Sequence, residues 1–112
     1  MPDVSKMFAK RLGEENYKNI RSFFTGKTKY DLLPLDSKKV LDGLQKPEVD
    51  RTFTQEEQLY ELRQKLIIHK IIAPDSQAWY DVENMYRSFI AGEAARHRLF
   101  PMKGGTFLPL PY

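Results

Sequence analysis

The stretch RSFFTGKTKYD, positions 21–31, contains Gly26, Lys27 and Thr28, the last three letters of a nucleotide-binding P-loop. A P-loop needs a first glycine five positions before the second, and that position holds Arg21. It also needs a buried strand before the loop and a long helix after it, whose N-terminal N–H groups face the phosphates. The run EENYKNI upstream is too polar for a buried strand, and Pro34 arrives within two turns downstream, where it would break a helix. The nucleotide reading therefore fails. What remains is a segment with three basic and three aromatic residues, in which Lys27 and Lys29 can meet the phosphates of a nucleic-acid backbone while Gly26 permits close approach.

Other chemistry finds little footing. His69 and His97 are the only histidines and there are no cysteines, so no spaced ligand set for a metal exists. His69 sits among isoleucines at a helix end and reads as a packed or capping residue. His97 lies in an arginine-rich turn. Glu56, Glu57 and Glu61 read as a solvated helix face, with Glu61 placed to pair with Lys65, rather than as an acid–base pair. No serine has a nucleophile context. We expect no catalysis, no cofactor, no metal and no small-molecule substrate.

The basic residues say more by position than by number. Of eighteen Lys and Arg, nine fall within the first thirty-nine residues: Lys6, Lys10, Arg11, Lys18, Arg21, Lys27, Lys29, Lys38 and Lys39. Five acids accompany them, and Phe8, Tyr17, Phe23, Phe24 and Tyr30 are interleaved. Basic groups meet phosphates and aromatic faces stack on unpaired bases. The plainer alternative is a solvated face over a small aromatic core. The RNA-contact candidates are Lys10, Arg11, Lys18, Arg21, Lys27, Lys29, Lys38 and Lys39, with Arg96 and Arg98 farther along.

These residues need elements to position them. At 112 residues the chain makes one small domain with a modest core. A net charge of +3 permits, without requiring, a polyanionic partner. The longest apolar run, LIIHKII, is interrupted by His69 and Lys70 and falls short of the roughly 18 residues a membrane span needs. The N-terminal MPDVSKMFAKRL lacks the apolar core of a secretory signal and reads as a structural helix rather than a presequence.

Asp3 or Ser5 can cap that first helix, whose face is Val4, Met7, Phe8 and Leu12, and Gly13 stops it. From Glu14 to Leu35 the expectation is a long loop ordered by docking. A short helix follows, capped by Asp36 or Ser37, striped by Val40, Leu41 and Leu44 and ended by Pro47, with Gly43 weakening it by about 1 kcal/mol relative to alanine. Thr54 and Glu57 form a capping box ahead of Leu59, Leu62, Leu66 and Ile67. Asp75 or Ser76 caps a second long helix carrying Trp79, Val82, Tyr86, Phe89 and Ile90. Its Ala91, Gly92, Ala94 and Ala95 allow close packing, and its end is Arg96, His97 and Arg98. The final LFPMKGGTFLPLPY, with three prolines and two glycines in fourteen residues, excludes helix and disfavours a central strand. Its apolar residues Leu99, Phe100, Phe107, Leu108, Leu110 and Tyr112 suggest an extended segment laid on another protein.

Three stretches carry a family resemblance: FAKRLGEENY, DSKKVLDGLQKPEV and LYELRQKLIIHKIIAPDSQAWYDVENMYRSF. Their order is similar to that of the mitochondrion-specific small-subunit ribosomal protein family numbered thirty-three. That family has a short apolar-basic helix into a turn, a Ser-Lys helix closed by proline, and two helices joined by an apolar turn with an aromatic–Asp–x–Glu step, here Tyr80, Asp81 and Glu83. The resemblance spans roughly positions 8 to 92. It implies a structural, non-catalytic constituent of the mitochondrial small ribosomal subunit, in the matrix, contacting rRNA and neighbouring ribosomal proteins within a large hetero-complex. By resemblance the matching basic positions are Lys10, Arg11, Lys38 and Lys39; Lys27 and Lys29 fall where the two do not align. The chain departs from the family's Lys/Arg-rich tail by turning apolar after Lys103, which favours a protein partner for 99–112.

The expected architecture is thus all-α. Short helices and a basic-aromatic loop occupy 1–53, a helical hairpin 54–98 and an extended Pro-rich tail 99–112, the extended segments docking on partners. The competing function is a small accessory subunit of a mitochondrial respiratory or ATP synthase complex. It is motivated by the cysteine-free amphipathic hairpin and the apolar tail.

Overall fold

A computed structural model describes residues 4–25 and 37–109, with side chains over 6–24 and 38–109. Helices α1 (Val4–Leu12) and α2 (Glu14–Thr25) are separated by Gly13 alone. Gly13 has φ +87° and its carbonyl accepts from the Tyr17 N–H at 2.9 Å, so one left-handed residue ends α1 and starts α2. Of the cap candidates for α1, Ser5 lies inside the helix and Asp3 outside the described residues. Phe8 and Leu12 are buried as expected, whereas Met7 is exposed.

The expectation of a loop from Glu14 is corrected over 14–25, which is helical. Tyr17, Ile20, Phe23 and Phe24 recur at three and four positions. Ile20 and Phe23 are fully buried, and Phe24 stacks on Phe89 with ring centroids 4.9 Å apart. Asn, Lys, Arg and Ser between them dilute the stripe, and burial against other helices supplies what local propensity does not. Glu14 and Glu15 sit in the first turn, where the helix dipole favours them. The rest of that expected loop, with Lys27 and Lys29, lies outside the described residues.

Helix α3 (Ser37–Leu44) buries Val40, Leu41 and Leu44 and gives way at Pro47 to a 3₁₀ turn, Glu48–Asp50. Ser37 is its first helical residue, and Asp36 is outside the described residues. Gly43 has a packing reason beyond propensity: a Cβ there would come within 3.2 Å of the Phe53 carbonyl oxygen. Helix α4 (Gln55–Ile68) starts at Thr54, whose Oγ1 accepts from the Glu57 N–H at 3.2 Å. The reciprocal half of the capping box is replaced by the Thr54 hydroxyl donating to the Glu57 carboxylate at 3.4 Å.

The end of α4 closes as expected from its apolar turn. His69 is its C-terminal cap, and Lys70 follows at φ +57°. The Lys70 N–H donates to Ile67 and the Ile71 N–H to Leu66, while Ile71 and Leu66 are both buried in one cluster. That is a complete Schellman arrangement with a lysine where glycine is usual. Helix α5 (Trp79–Arg96) begins three residues later than Asp75 as cap would require, or two later than Ser76 would, and Ala78 precedes it with no side-chain cap. Ser76 Oγ instead accepts from the Ala78 N–H at 3.1 Å, and the Trp79 indole donates to the Ala73 carbonyl at 2.9 Å, folding the turn under the helix.

Contacts between α4 and α5 run antiparallel: Glu56 meets Arg87, Gln58 meets Tyr86 and Arg63 lies over Trp79, 4.9 Å from the ring centre. These side-chain contacts set α4 beside α5. Of its small residues Ala94 is buried, while Ala91, Gly92 and Ala95 face outward, so close packing is confined to Ala94.

The fold is mostly helical without being all-α. The tail forms an antiparallel pair, β1 (Leu99–Pro101) with β2 (Phe107–Pro109), in the register Leu99↔Pro109, Phe100↔Leu108 and Pro101↔Phe107. Gly104 (φ +93°) and Gly105 (φ +85°) make the turn, with the Gly105 N–H donating to Met102 at 3.2 Å. The Met102 N–H donates to Thr106, so ladder alternation places Phe100 and Leu108 at the next hydrogen-bonded rung. Pro101 and Pro109 then fall on the outward-facing positions, where a missing N–H blunts each edge against strand addition.

Two clusters form the core. Phe8, Leu12, Ile20, Phe23, Leu62, Leu66, Ile71, Ile72, Val82 and Met85 make the first; Val40, Leu41, Leu44, Tyr86, Ile90, Ala94 and Leu99 make the second. Helix α5 contributes to both and is the spine on which α1, α3 and β1 pack.

Candidate nucleic-acid interface

The first core cluster decides what the basic-aromatic half presents. Phe8 and Phe23 are buried and Tyr17 and Phe24 pack half-buried against them. These aromatics are core, not stacking platforms for bases; Tyr30 lies outside the described residues. The basic residues on the opposite faces stay in solvent. Lys10 is exposed on α1, and Lys18 and Arg21, three apart on α2, share one outward face. Arg11 is otherwise engaged: its guanidinium donates to Asp81 at 3.1 Å and ties α1 to α5.

The second basic group lies around the start of α3 and the end of α5. Lys38 and Lys39 are exposed in the first turn of α3, against the helix dipole. Lys39 Nζ stands 6.0 Å from the centre of the Phe53 ring. Arg96 pairs with Glu93 at 2.9 Å, and Arg98 is exposed at φ +58° just past the helix. At that carboxyl end positive charge is favoured by the dipole.

Between these two ends runs a groove of about 430 Å³. One wall is a stripe of α3: Lys38, Leu41, Asp42 and Gln45, spaced i, i+3, i+4, i+7. The other wall is His97, Leu99 and Pro109 from the α5 cap and the hairpin. Leu41 and Leu99 are core residues whose edges form its floor. The Lys38 and Asp42 side chains have no hydrogen-bond or ion-pair partner among the described residues, and Gln45 makes only a 3.4 Å bond to the Leu41 carbonyl. The sequence reading missed Asp42 and Gln45 and set His97 aside. The i, i+3, i+4, i+7 stripe was visible, but its opposite wall comes from residues more than fifty positions away.

The other missed residue is Arg51. Its Nε donates to the Gly43 and Lys46 carbonyls at 2.9 and 3.2 Å, and its terminal nitrogen to the Gly105 carbonyl at 3.1 Å. It caps the end of α3 and ties it to the hairpin turn. Arg87 is likewise internal: it bonds Glu83 at 3.0 Å and both Glu56 oxygens at 3.1–3.2 Å. Burial works against its charge, but those carboxylates outweigh it and raise its pKa above the ordinary arginine value.

Of the residues expected to face a protein partner, Leu99 is buried within this chain and Phe107 half-buried. Phe100 and Leu108 stand side by side, 37% and 43% exposed, on the outer face of the hairpin. Leu110 and Tyr112 lie outside the described residues.

Among the described residues no group of His, Asp or Glu is placed to hold a metal, and no helix is long and apolar enough to cross a membrane. No known protein family, curated protein or solved structure matches this chain.

Proposed function

We propose that this chain is a structural constituent of the mitochondrial small ribosomal subunit, acting in the matrix by binding rRNA and neighbouring ribosomal proteins, without catalysis. The observation that carries the reading is the set of exposed cations on the N-terminal helices, Lys10, Lys18, Arg21 and Lys38. With Phe8, Tyr17, Phe23 and Phe24 packed in or against the core, these helices offer phosphate contact without base stacking. Exposed basic side chains on short rigid helices suit a phosphate backbone, since each phosphate neutralised releases counterions. The resemblance in FAKRLGEENY, DSKKVLDGLQKPEV and the α4–α5 hairpin supports the same assignment. The exposed pair Phe100 and Leu108 is the surface we assign to a protein neighbour.

The accessory-subunit alternative drew on the apolar tail as a free docking segment. Within 99–109 that tail closes on this chain's own core through Leu99 while Phe100 and Leu108 stay exposed, which suits either reading; the exposed cations have a use only in the ribosomal one, which we carry. Sucrose-gradient fractionation of solubilised mitochondria, blotting a tagged copy with and without nuclease, tests it. Sedimentation with the small ribosomal subunit, lost on nuclease treatment, is expected. Nuclease-resistant sedimentation with a respiratory complex refutes it.

A further inference from the structure

We propose that the groove between α3 and the hairpin is a base-reading site for single-stranded RNA, taking a guanine with its adjoining phosphate. This rests on the reading that the chain binds RNA and adds which chemistry it reads. At about 430 Å³ the groove is of a size for a nucleoside-sized group rather than a chain of folded protein. Its floor, Leu41 and Leu99, is apolar and suits the face of a base. Its rim holds three polar side chains, Lys38, Asp42 and His97, without a side-chain partner among the described residues, and Gln45 is only weakly engaged.

The sign pattern selects the ligand. A site for phosphate alone would be uniformly basic, and Asp42 would oppose it. A carboxylate that accepts only is matched by a partner presenting adjacent donors. Guanine does so on its Watson–Crick edge, where N1–H and the N2 amino group lie side by side, as accessible single-stranded bases permit. Lys38, one helical turn before Asp42, then meets the phosphate. Gln45, nearly one turn beyond Asp42, can reach the O6 side with its amide, and His97 flanks the base from the opposite wall. A purely electrostatic patch lacks this preference, because phosphate contacts carry no sequence information.

The test is fluorescence anisotropy of the full chain at fixed salt with labelled hexamers, one carrying a single guanosine in a uridine run and the others adenosine, cytidine or uridine at that place. The expected result is binding to all four, with the guanosine hexamer favoured about tenfold, the low end of a bidentate contact. Asp42→Asn removes the preference and leaves the other hexamers unchanged or slightly tighter. Lys38→Ala weakens all four alike and lowers the salt slope by about one. Glu61→Gln, on the exposed face of α4, changes neither. Circular dichroism of each variant confirms the fold. RNA binding without base preference, or a preference that survives Asp42→Asn, overturns the groove while leaving the RNA reading standing. Failure to bind any hexamer, or small-subunit RNA, at low salt overturns both. If Asp42→Asn and Lys38→Ala bind RNA as the unaltered chain does but fail to enter the particle, the groove takes a protein segment and the base-reading site is refuted.

Discussion

Tyr86 and Gln58 join α5 to α4 at the centre of the fold. Tyr86 is fully buried and Gln58 2% exposed, and the Tyr86 hydroxyl donates to Gln58 Oε1 at 2.5 Å. Tyr86→Phe keeps the ring and removes one oxygen, so packing is conserved and the change reads the hydrogen bond. The loss of the bond and the desolvated Gln58 oxygen left without this donor together cost about 1–3 kcal/mol. Gln58→Leu strands the hydroxyl instead and costs a similar amount, about 1–3 kcal/mol. The double variant removes both polar groups and should lie much nearer the unaltered chain than the two single costs added, a coupling of roughly 1–3 kcal/mol. For a domain with about 5–15 kcal/mol in total, each single change is a sizeable fraction. Urea unfolding followed by the fluorescence of Trp79, the single tryptophan, measures all four corners. Single variants within about 0.5 kcal/mol of the unaltered chain, or strictly additive losses, would refute the buried pair as a specific link between the helices.

The same tyrosine predicts an alkaline limit. Burial first, then the Glu56 charge, push its ionisation well above the ordinary 10.0, with Arg87 opposing. The stability it contributes is therefore complete below about pH 10, where the unfolded chain titrates. It is lost progressively as pH rises above that, and Tyr86→Phe should flatten the fall in Tm above pH 10. The two left-handed positions give opposite expectations. Gly13→Ala, whose Cβ would meet nothing within 4 Å, should destabilise by about 1 kcal/mol through backbone strain alone; Lys70→Gly should stabilise by about 0.5–1 kcal/mol in the same thermal melt. Arg51→Lys should cost roughly 1–2 kcal/mol, because an ammonium lacks the planar fork that reaches both Gly43 and Gly105. Faster amide exchange at Met102 and Leu108, whose N–H groups face the partner strand, would register the freed hairpin, and unchanged exchange would count against the tie.

How much of this was legible beforehand follows from where each signal resides. The glycine stop at Gly13, the stripes of α3, α4 and α5, the Thr54 cap and the apolar turn after His69 depend on residues within a few positions of one another, and all are present. The α2 stripe was there too, but interspersed polar residues hid it, and only Ile20 and Phe23 entering a shared core makes it a helix. Two apolar runs around Lys103, Gly104 and Gly105 carried a hairpin signal that the prolines obscured. Pro101 and Pro109 occupy outward rungs, where no ladder bond is forfeited.

The candidate site divides the same way. Composition and order along the chain determine that Lys10, Lys18, Arg21 and Lys38 are available cations, since a solvated face needs no partner. The tertiary structure alone decides that Arg11, Arg51 and Arg87 are consumed by Asp81, by three carbonyls and by two glutamates. It alone decides that Asp42 faces His97 across a groove. Helical periodicity is a property of neighbours in sequence. Which buried oxygen meets which hydroxyl, and which cation finds a partner, is set by residues brought together only when α5 gathers the other elements around it.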